Sequence, residues 1–293
     1  MATLKDIRAR IDSTKNTQQI TKAMKLVSAA KLRKAQNNIV AMRPYALGIK
    51  SVIADIAITQ KISHPLMEAK GEIRKVLLVV MTSDRGLCGG FNGNISKFAE
   101  TYLAENKSKY EKIDFFFIGR RGHDFFVKRG VTPIGYHSKL DKDISYDLAA
   151  HVADKLLKQY LSGSYDEVRM IYNEFKSAIT QTVACETLIP IGIDNTSFSE
   201  KDNIQEFAVD LIFEPSPQKI VEQLLIKHFD LQVYRCMSES VAAEHGARMT
   251  AMESASNNAR DMIASLTLTY NKARQEKITS QLIEITSGAE ALR

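Results

Sequence analysis

The sequence has few of the features that mark a membrane or secreted protein. It contains no tryptophan, and no stretch approaches the ~20 consecutive apolar residues that a membrane-spanning helix requires. The N-terminus also has no apolar segment of the kind found in secretory signals. We therefore expect a soluble chain.

Cysteine is scarce, with three residues at widely separated positions: Cys88, Cys185 and Cys236. They form no CxxC pair, so the sequence predicts neither a disulfide framework nor a zinc site, and a reducing compartment fits best. The six histidines form no HExxH motif or other ligand spacing. We expect no metal site and no cofactor.

Positive charge is concentrated at one end of the chain. Residues 1–43 contain ten Lys and Arg against two acidic residues, Asp6 and Asp12, so this segment carries +8 while the whole chain carries +6. A long basic helix favours an acidic partner, which could be nucleic acid, anionic lipid or carboxylate-rich protein loops. Charge alone does not choose among these three.

The aromatic residues divide the chain into three parts. Of 22 Phe and Tyr residues, four lie in residues 1–58 or 218–293, and the other 18 lie between them. Large aromatic side chains fill globular cores, whereas two-helix seams use smaller or straighter side chains. The sequence predicts an N-terminal coiled-coil arm (1–58), a globular α/β domain (59–217) and a C-terminal coiled-coil arm (218–293).

Both arms have the periodicity of amphipathic helices. The first begins with Thr3 as a candidate N-cap, and its predicted apolar stripe contains Leu4, Ile7, Ile11, Ile20, Met24 and Val27. The last has no proline after Pro217, and we predict a helix from about residue 218 to a C-cap at Gly288. Its predicted seam contains Met252, Ala255, Ala259, Met262 and Leu266, followed by a stutter into Tyr270 and Ala273.

Two pairings of the arms are compatible with this pattern. One arm could pair with its copy in a dimeric coiled coil, or the two arms could pair with each other as an antiparallel stalk. We favour the second, because a compact middle domain can return the chain to its starting point. An elongated rod with a globular end follows from this choice.

The middle of the chain alternates between strand and helix patterns. We predict strands at 75–81, 113–118 and 167–172, with a possible fourth at 185–189, and helices that follow the first two strands and cover 146–161. Strands separated by helices favour a mainly parallel, Rossmann-like sheet.

No motif in this domain indicates catalysis. The glycine-rich turn at 86–93 follows a buried strand, but no Lys-Ser/Thr pair follows its glycines and GxGxxG is absent, so we do not predict nucleotide binding. Cys88 has no activating neighbours, and the carboxylates of Asp141, Asp143 and Asp147 have the spacing of a surface turn. We predict no catalytic residue.

Several segments resemble the γ subunits of ATP synthases. They are residues 7–11, 16–31 and 43–45, the turn 84–92, and residues 244–253, 270–279 and 284–289. The resemblance covers both arms and the middle domain. It implies an antiparallel coiled coil inserted into a ring of three α and three β subunits, an α/β domain beside the ε subunit and the membrane ring of c subunits, and one copy per complex.

The resemblance also implies where partners bind. Residues that resemble contacts to the β subunits are Thr21, Lys22, Met24, Lys25, Arg274 and Gln275. Asp84, Arg85 and Cys88 resemble the turn near the β and ε contacts, and Glu214 resembles a position near the rotor ring. Leu282 and Ile285 resemble the side chains of the apical bearing.

The implied function is that of a non-catalytic rotor shaft, which couples proton-driven rotation of the membrane ring to ATP synthesis or hydrolysis. It implies a peripheral position on the cytoplasmic side of a bacterial inner membrane, or alternatively on the matrix side of the mitochondrial inner membrane. From the residues alone, a dimeric adaptor that uses its basic arm on nucleic acid or membrane is the second reading. A nucleotide-dependent enzyme is the third.

Overall fold

The structure is a computed structural model that describes residues 3–60, 64–68, 71–138, 144–178, 180–192 and 214–291. Contacts group the chain into two compact units, which we call the two-helix unit (Met1–Ala29 with Arg248–Arg293) and the sheet unit (Ala30–Ala247). The three-part domain division given above stays a prediction.

In sequence order, a long helix comes first, alternating strands and shorter helices follow, and a second long helix comes last. The order is α1 (Leu4–Gln60), β1 (Lys75–Met81), α2 (Phe91–Asn106), β2 (Lys112–Ile118), α3 (Arg120–Val127), β3 (Gly135–His137), α4 (Tyr146–Leu161), β4 (Glu167–Phe175), β5 (Gln181–Ile189) and α5 (Pro217–Ala291).

One of the two predicted helix caps is present in the structure: the N-cap of α1 at Thr3 forms, and the C-cap of α5 at Gly288 does not. Thr3 Oγ1 accepts a hydrogen bond from Asp6 N at 3.2 Å, and the Asp6 carboxylate accepts one from Thr3 N at 3.0 Å, so the predicted N-cap is confirmed. Gly288 lies inside α5, and the predicted C-cap there is wrong. Since a helical glycine costs only about 1 kcal/mol relative to alanine, the helix continues through it.

Within the two-helix unit, α1 and α5 pair with each other in opposite directions. Lys25 Nζ lies 2.6 Å from Glu253 Oε1, and Gln18 Nε2 donates to Ser256 O at 3.5 Å. Thr14 Oγ1 contacts Met262 Sδ at 3.9 Å. Residue numbers fall on α1 as they rise on α5, so the predicted antiparallel pairing of the two arms is confirmed.

The α1 side of this seam differs from the predicted stripe. Buried and half-buried positions repeat at alternating steps of four and three residues: Ile7, Ile11, Thr14, Gln18, Thr21, Lys25 and Ser28. Ile20 and Val27 fall outside this repeat and are 59% and 57% exposed, so this part of the predicted apolar stripe does not line the seam. The seven-residue repeat that starts at Ile7 determines the facing side, even where its residues are polar.

The predicted seam residues of α5 also differ from those that the structure buries. Met262 is 55% exposed, and Ile263 takes its place at the half-buried position. Tyr270 and Ala273 follow Ile263 and Leu266 by seven residues each, so no stutter is present.

The sheet unit contains a five-stranded sheet with the order β3-β2-β1-β4-β5. Strand β1 pairs in parallel with β2 and β4, and β2 pairs in parallel with β3. The predicted mainly parallel sheet is confirmed. Strand β5 is antiparallel to β4 and longer than predicted, and β3 was not predicted because it has three residues and a glycine at its start.

Apolar side chains pack on both faces of this sheet. On one face, Phe115, Phe117 and Phe126 form a cluster with centroid distances of 5.1–5.7 Å, together with residues of α2. On the other face, α4 packs with the second half of α1 and the first half of α5. The central strand β1 is almost completely buried, as its continuous apolar sequence predicts.

Candidate partner-binding surfaces

The predicted contact residues on α1 divide between the seam and the surface. Thr21 is 8% exposed, and its hydroxyl donates to Gln18 O at 3.0 Å. Lys25 is half-buried in its ion pair with Glu253, and Met24 is also half-buried. Lys22 is exposed. Lys22 is therefore directed at solvent, whereas Thr21 is buried at a seam position and Lys25 pairs with α5.

An apolar surface on α1 was missed as a candidate binding site. Ile20 and Val27 lie seven residues apart, hence on one side of the helix, and Leu26 beside them is 65% exposed. Exposed apolar clusters of this kind mark protein–protein contact sites. The signal that could have identified them is the unbroken heptad from Ile7, which leaves Ile20 and Val27 outside the seam.

The last part of α5 extends beyond the residues paired with α1. Since Thr14 lies against Met262 and α1 begins at Leu4, α5 residues past about position 272 have no counterpart among the described residues of α1. Arg274 and Gln275 are exposed there.

This end of α5 also exposes apolar side chains at every turn. The predicted residues Leu282 and Ile285 are 58% and 68% exposed, and Ile278 and Ile283 are 49% and 59% exposed. Burying an apolar side chain of this size is favourable by on the order of 1.5–3 kcal/mol, and these exposed residues do not gain that free energy in the free chain. This end of α5 therefore has the properties of a surface that binds an apolar partner.

The turn between β1 and α2 is fixed by a dense set of hydrogen bonds. Asn92 Oδ1 accepts from Ser83 N at 2.9 Å, and the Ser83 hydroxyl donates to Arg85 O at 2.5 Å. Asp84 Oδ1 accepts from Arg120 N at 2.9 Å. Gly119, the residue before α3, has φ +94°, and a Cβ there would lie 2.0 Å from Thr82 O, so only glycine permits this approach of the two turns.

The three predicted residues of this turn have different accessibility. Arg85 is exposed and Asp84 is half-buried. Cys88 is 2% exposed, and its Sγ accepts from Asn92 Nδ2 at 3.1 Å. Leu87, which sequence reasoning missed, is 65% exposed at φ +64°, a conformation that bulky residues rarely adopt. The turn thus presents Arg85 and Leu87, while Cys88 packs beneath them.

Glu214, the remaining predicted contact residue, lies three residues before α5 and is exposed. Phe213, the residue before it, lies outside the described residues.

A buried ionic cluster connects α5 to the sheet and was not predicted. Arg235 is 7% exposed, and it forms ion pairs with Glu186 of β5 and with Glu239 one turn along α5. Burial and the nearby charges of Glu186 and Glu174 raise the pKa of Glu239, although Arg235 opposes this shift. The sequence signal was the i, i+4 pair Arg235 and Glu239 within an otherwise apolar part of the helix.

Within the described ranges, no group of three His, Cys, Asp or Glu side chains is arranged to hold a metal ion. No helix in the described part of the chain has the length and apolar content needed to cross a membrane.

Comparison with known proteins gives full-length matches. A family model described as ATP synthase matches residues 3–292. The ATP synthase gamma chain of Bdellovibrio bacteriovorus is 69% identical over 294 residues, with 100% of each chain covered. The ATP synthase gamma chain of a Geobacter species, strain M21, is 48% identical over 293 residues, again with 100% of each chain covered.

Solved structures show a similar fold. The central stalk and c-ring structure of the Tetrahymena thermophila mitochondrial ATP synthase contains a chain with a TM-score of 0.62 and 26% identity, covering 81% of this chain and 99% of that one. The rotor of the Euglena gracilis mitochondrial ATP synthase contains one with a TM-score of 0.63 and 21% identity, covering 94% and 98%.

Proposed function

Because the chain belongs to the ATP synthase gamma chain family, its function is that of a non-catalytic rotor shaft, and we propose that the surfaces described above are where it binds its partners. The shaft couples proton-driven rotation of the membrane ring to ATP synthesis or hydrolysis in the catalytic ring. The partners in this assignment are three α and three β subunits, one ε subunit and a ring of c subunits.

The observation that carries the proposal is the exposed apolar end of α5. Leu282 and Ile285, together with Ile278 and Ile283, lie past the residues paired with α1 and are 49–68% exposed. An apolar sleeve formed by the α and β subunits would bury them without requiring a matched polar contact at each angle. This is the property that a bearing needs, because the shaft must turn inside it.

The charged and polar residues nearby supply the angle-dependent contacts. Lys22 on α1 and Arg274 and Gln275 on α5 are exposed and can form charge-assisted or neutral hydrogen bonds with acidic loops of the β subunits. Ile20 and Val27 add an apolar contact on the α1 side. Different contacts at different angles give each β subunit a different preferred conformation, which changes its nucleotide affinity.

We also assign partner contacts to the sheet unit. We assign Asp84, Arg85 and Cys88 to the turn that meets the β and ε subunits, with Arg85 making the exposed contact and Cys88 supporting it. Glu214, exposed just before α5, is assigned to the side of the rotor ring.

The gamma chain is part of a membrane-associated complex. We assign this one to the cytoplasmic side of a bacterial inner membrane as a peripheral subunit. The assignment is supported by its similarity to the bacterial gamma chains.

The function is tested by reconstitution with α and β subunits from the same organism. The expected result is a single complex whose ATP hydrolysis depends on this chain. If the chain elutes as a self-associated rod and leaves hydrolysis unchanged, while another gamma chain assembles under the same conditions, the shaft function is refuted in favour of a dimeric adaptor.

The assigned contact residues are tested by charge reversal at Arg274. Arg274→Glu should lower ATP hydrolysis and synthesis in the assembled complex while the free chain unfolds at the same urea concentration as the wild type, because Arg274 is exposed. Arg260→Glu is the matched control on the same helix, also exposed. Wild-type rates in the Arg274 variant would remove this residue from the interface.

A further inference from the structure

The first half of α5 packs on the sheet through apolar side chains, and it also forms an ion pair with the sheet through the buried Arg235. Arg235 lies on α5 and is 7% exposed. Its Nη2 donates to Glu186 Oε1 on β5, and its Nη1 lies 3.3 Å from Glu239 Oε1. The guanidinium therefore connects α5 to the edge strand β5 through Glu186, and it also binds Glu239 on its own helix.

A tyrosine closes this arrangement into a ring. Tyr172 on β4 is 2% exposed; its hydroxyl accepts from Arg235 Nη1 at 3.2 Å and donates to Glu186 Oε2 at 2.9 Å. The rigid fork of the guanidinium fits two acceptors at fixed angles, which an ammonium or an aliphatic side chain cannot do. We call Arg235, Glu186, Glu239 and Tyr172 the arginine clamp.

Stability alone does not account for the clamp. Buried ion pairs are often no more stabilising than well-packed apolar residues of the same volume, because both charges lose their hydration. The ion pairs differ from apolar contacts in their dependence on angle. Hydrogen bonds weaken steeply as their angles change, whereas apolar contacts tolerate small rotations. A helix held by apolar packing and by the clamp therefore resists rotation about its own axis more than one held by apolar packing alone.

A cavity borders the arginine clamp on one side. It has a volume of about 280 Å³ and is lined by Ile39, Val40, Met42, Arg43, Glu174, Arg235 and Glu239. Glu239 Oε2 has no hydrogen-bond partner among the described residues. On the side of this cavity the ion pairs are the directional contacts of α5, whereas Val233, Cys236 and Met237 on the same helix are completely buried.

We propose that Arg235 is a positioning residue that fixes the rotational setting of α5 against the sheet, so that torque passes between the sheet unit and the shaft without slippage. This inference rests on the proposed function, in which the sheet unit faces the rotor ring and α5 continues into the catalytic ring. In this role Arg235 contacts no partner subunit. It acts indirectly, because it fixes the orientation of α5, which carries the contact residues.

The test separates stability from coupling by replacing the whole clamp with apolar residues. The variant combines Arg235→Met, Glu186→Leu, Glu239→Leu and Tyr172→Phe in the complete ATP synthase, reconstituted in vesicles. We expect an unchanged thermal midpoint and ATP hydrolysis rate, but a loss of protons pumped per ATP, measured with a pH-sensitive dye.

A second, partly buried ion pair provides the matched control. Arg169 Nη2 lies 2.9 Å from Glu167 Oε1, and both residues belong to β4, so this pair does not connect the sheet to α5. The double variant Arg169→Met with Glu167→Leu should pump as many protons per ATP as the wild type.

Each outcome decides the proposal. Wild-type pumping per ATP in the clamp variant, or an equal loss in the control, overturns it. If the apolar variant does not assemble, Arg235→Lys replaces it: this variant keeps the charge but not the fork, and wild-type pumping per ATP would again overturn the proposal. Failure of the wild-type chain itself to support pumping would instead refute the proposed function.

Discussion

The two units of this chain use their apolar residues in opposite ways. In the sheet unit, large apolar side chains are buried: every residue of β1 after Lys75 is at most 1% exposed, and Phe117 and Phe126 are equally enclosed. In the two-helix unit, Thr21 and Ser28 occupy buried seam positions while Ile20, Val27 and Leu282 are exposed. The sheet unit buries its large apolar side chains, whereas the two-helix unit buries a few, such as Ile7 and Ile11, and leaves many others exposed.

The difference has a physical consequence for how each unit should respond to mutation. Burial of apolar surface is the main favourable term in folding, so truncation in the sheet unit should destabilise the chain itself. Truncation of an exposed apolar residue in the two-helix unit removes nothing from the free chain. Its effect should be observed only in the complex.

The largest expected effect is at Phe117. Phe117→Ala removes a ring that is completely buried and stacks on Phe115 and Phe126, so it should lower the free energy of unfolding by roughly 3–5 kcal/mol. Urea unfolding followed by circular dichroism measures this change.

Ile20→Ala is the counterpart of this variant in the two-helix unit. Because Ile20 is 59% exposed, its free energy of unfolding should stay within about 0.5 kcal/mol of the wild type, whereas its binding to the α and β subunits weakens. Equal destabilisation by the two substitutions would contradict the proposed division between the units.

The second expected effect is a loss of stability at acidic pH caused by His228. Burial, with Lys50 and Arg235 nearby, lowers the pKa of His228 from 6.5 to about 4. Its Nδ1 has no hydrogen-bond partner among the described residues, so a proton there would be a buried charge. The unfolded chain binds this proton first, and the resulting loss of stability develops as the pH falls from 6.5 to about 4, reaching on the order of 3 kcal/mol.

This prediction is checked by the free energy of unfolding at pH 7.5 and pH 5. His228→Gln should lose less stability between these values than the wild type. His151→Gln, on the exposed side of α4, is the control and should behave as the wild type. The same pH dependence in all three proteins would exclude His228 as the source.

The third expected effect distinguishes two helical glycines. Alanine is more favourable than glycine in a helix by about 1 kcal/mol, so Gly48→Ala, with nothing within 4 Å of the new Cβ, should stabilise the chain by about that amount. At Gly246 the new Cβ would lie 3.2 Å from Ala178 O and 3.3 Å from Ala178 Cα. Gly246→Ala should therefore gain nothing or destabilise, and thermal unfolding of the two variants measures the difference.

The smallest expected effect is at the ion pair in the seam. Lys25 and Glu253 are 36% and 51% exposed, and solvent screens their attraction, so a double-mutant cycle should give a coupling energy below about 1 kcal/mol. Hydrogen exchange of the α1 amides provides the free energies. A coupling of several kcal/mol would show that the two-helix unit depends on this pair for its own stability.

The sequence was sufficient to predict the elements whose signal is local. Helix α4 begins at Tyr146 and ends at Leu161 as predicted, and β1 spans the predicted seven residues, because caps and continuous apolar runs depend on neighbouring residues. The matched segments at both ends and in the middle were also visible in the sequence. They led to the correct family.

The sequence was not sufficient where packing with a distant segment decides the outcome. Ile20, Val27 and Met262 resemble seam residues by type, yet the register set by the partner helix leaves them exposed. The environment of Lys25 is determined by Glu253, 228 residues away.

The sequence by itself determined that this chain has two helical arms around an α/β domain, since periodicity and aromatic content are properties of the chain. Only the tertiary structure decided which side of each helix is buried and that Arg235 joins α5 to β5. The physical reason is that burial and ion pairing depend on which segments meet in space. Which side chains are buried or paired therefore depends on residues that are tens or hundreds of positions apart in the sequence.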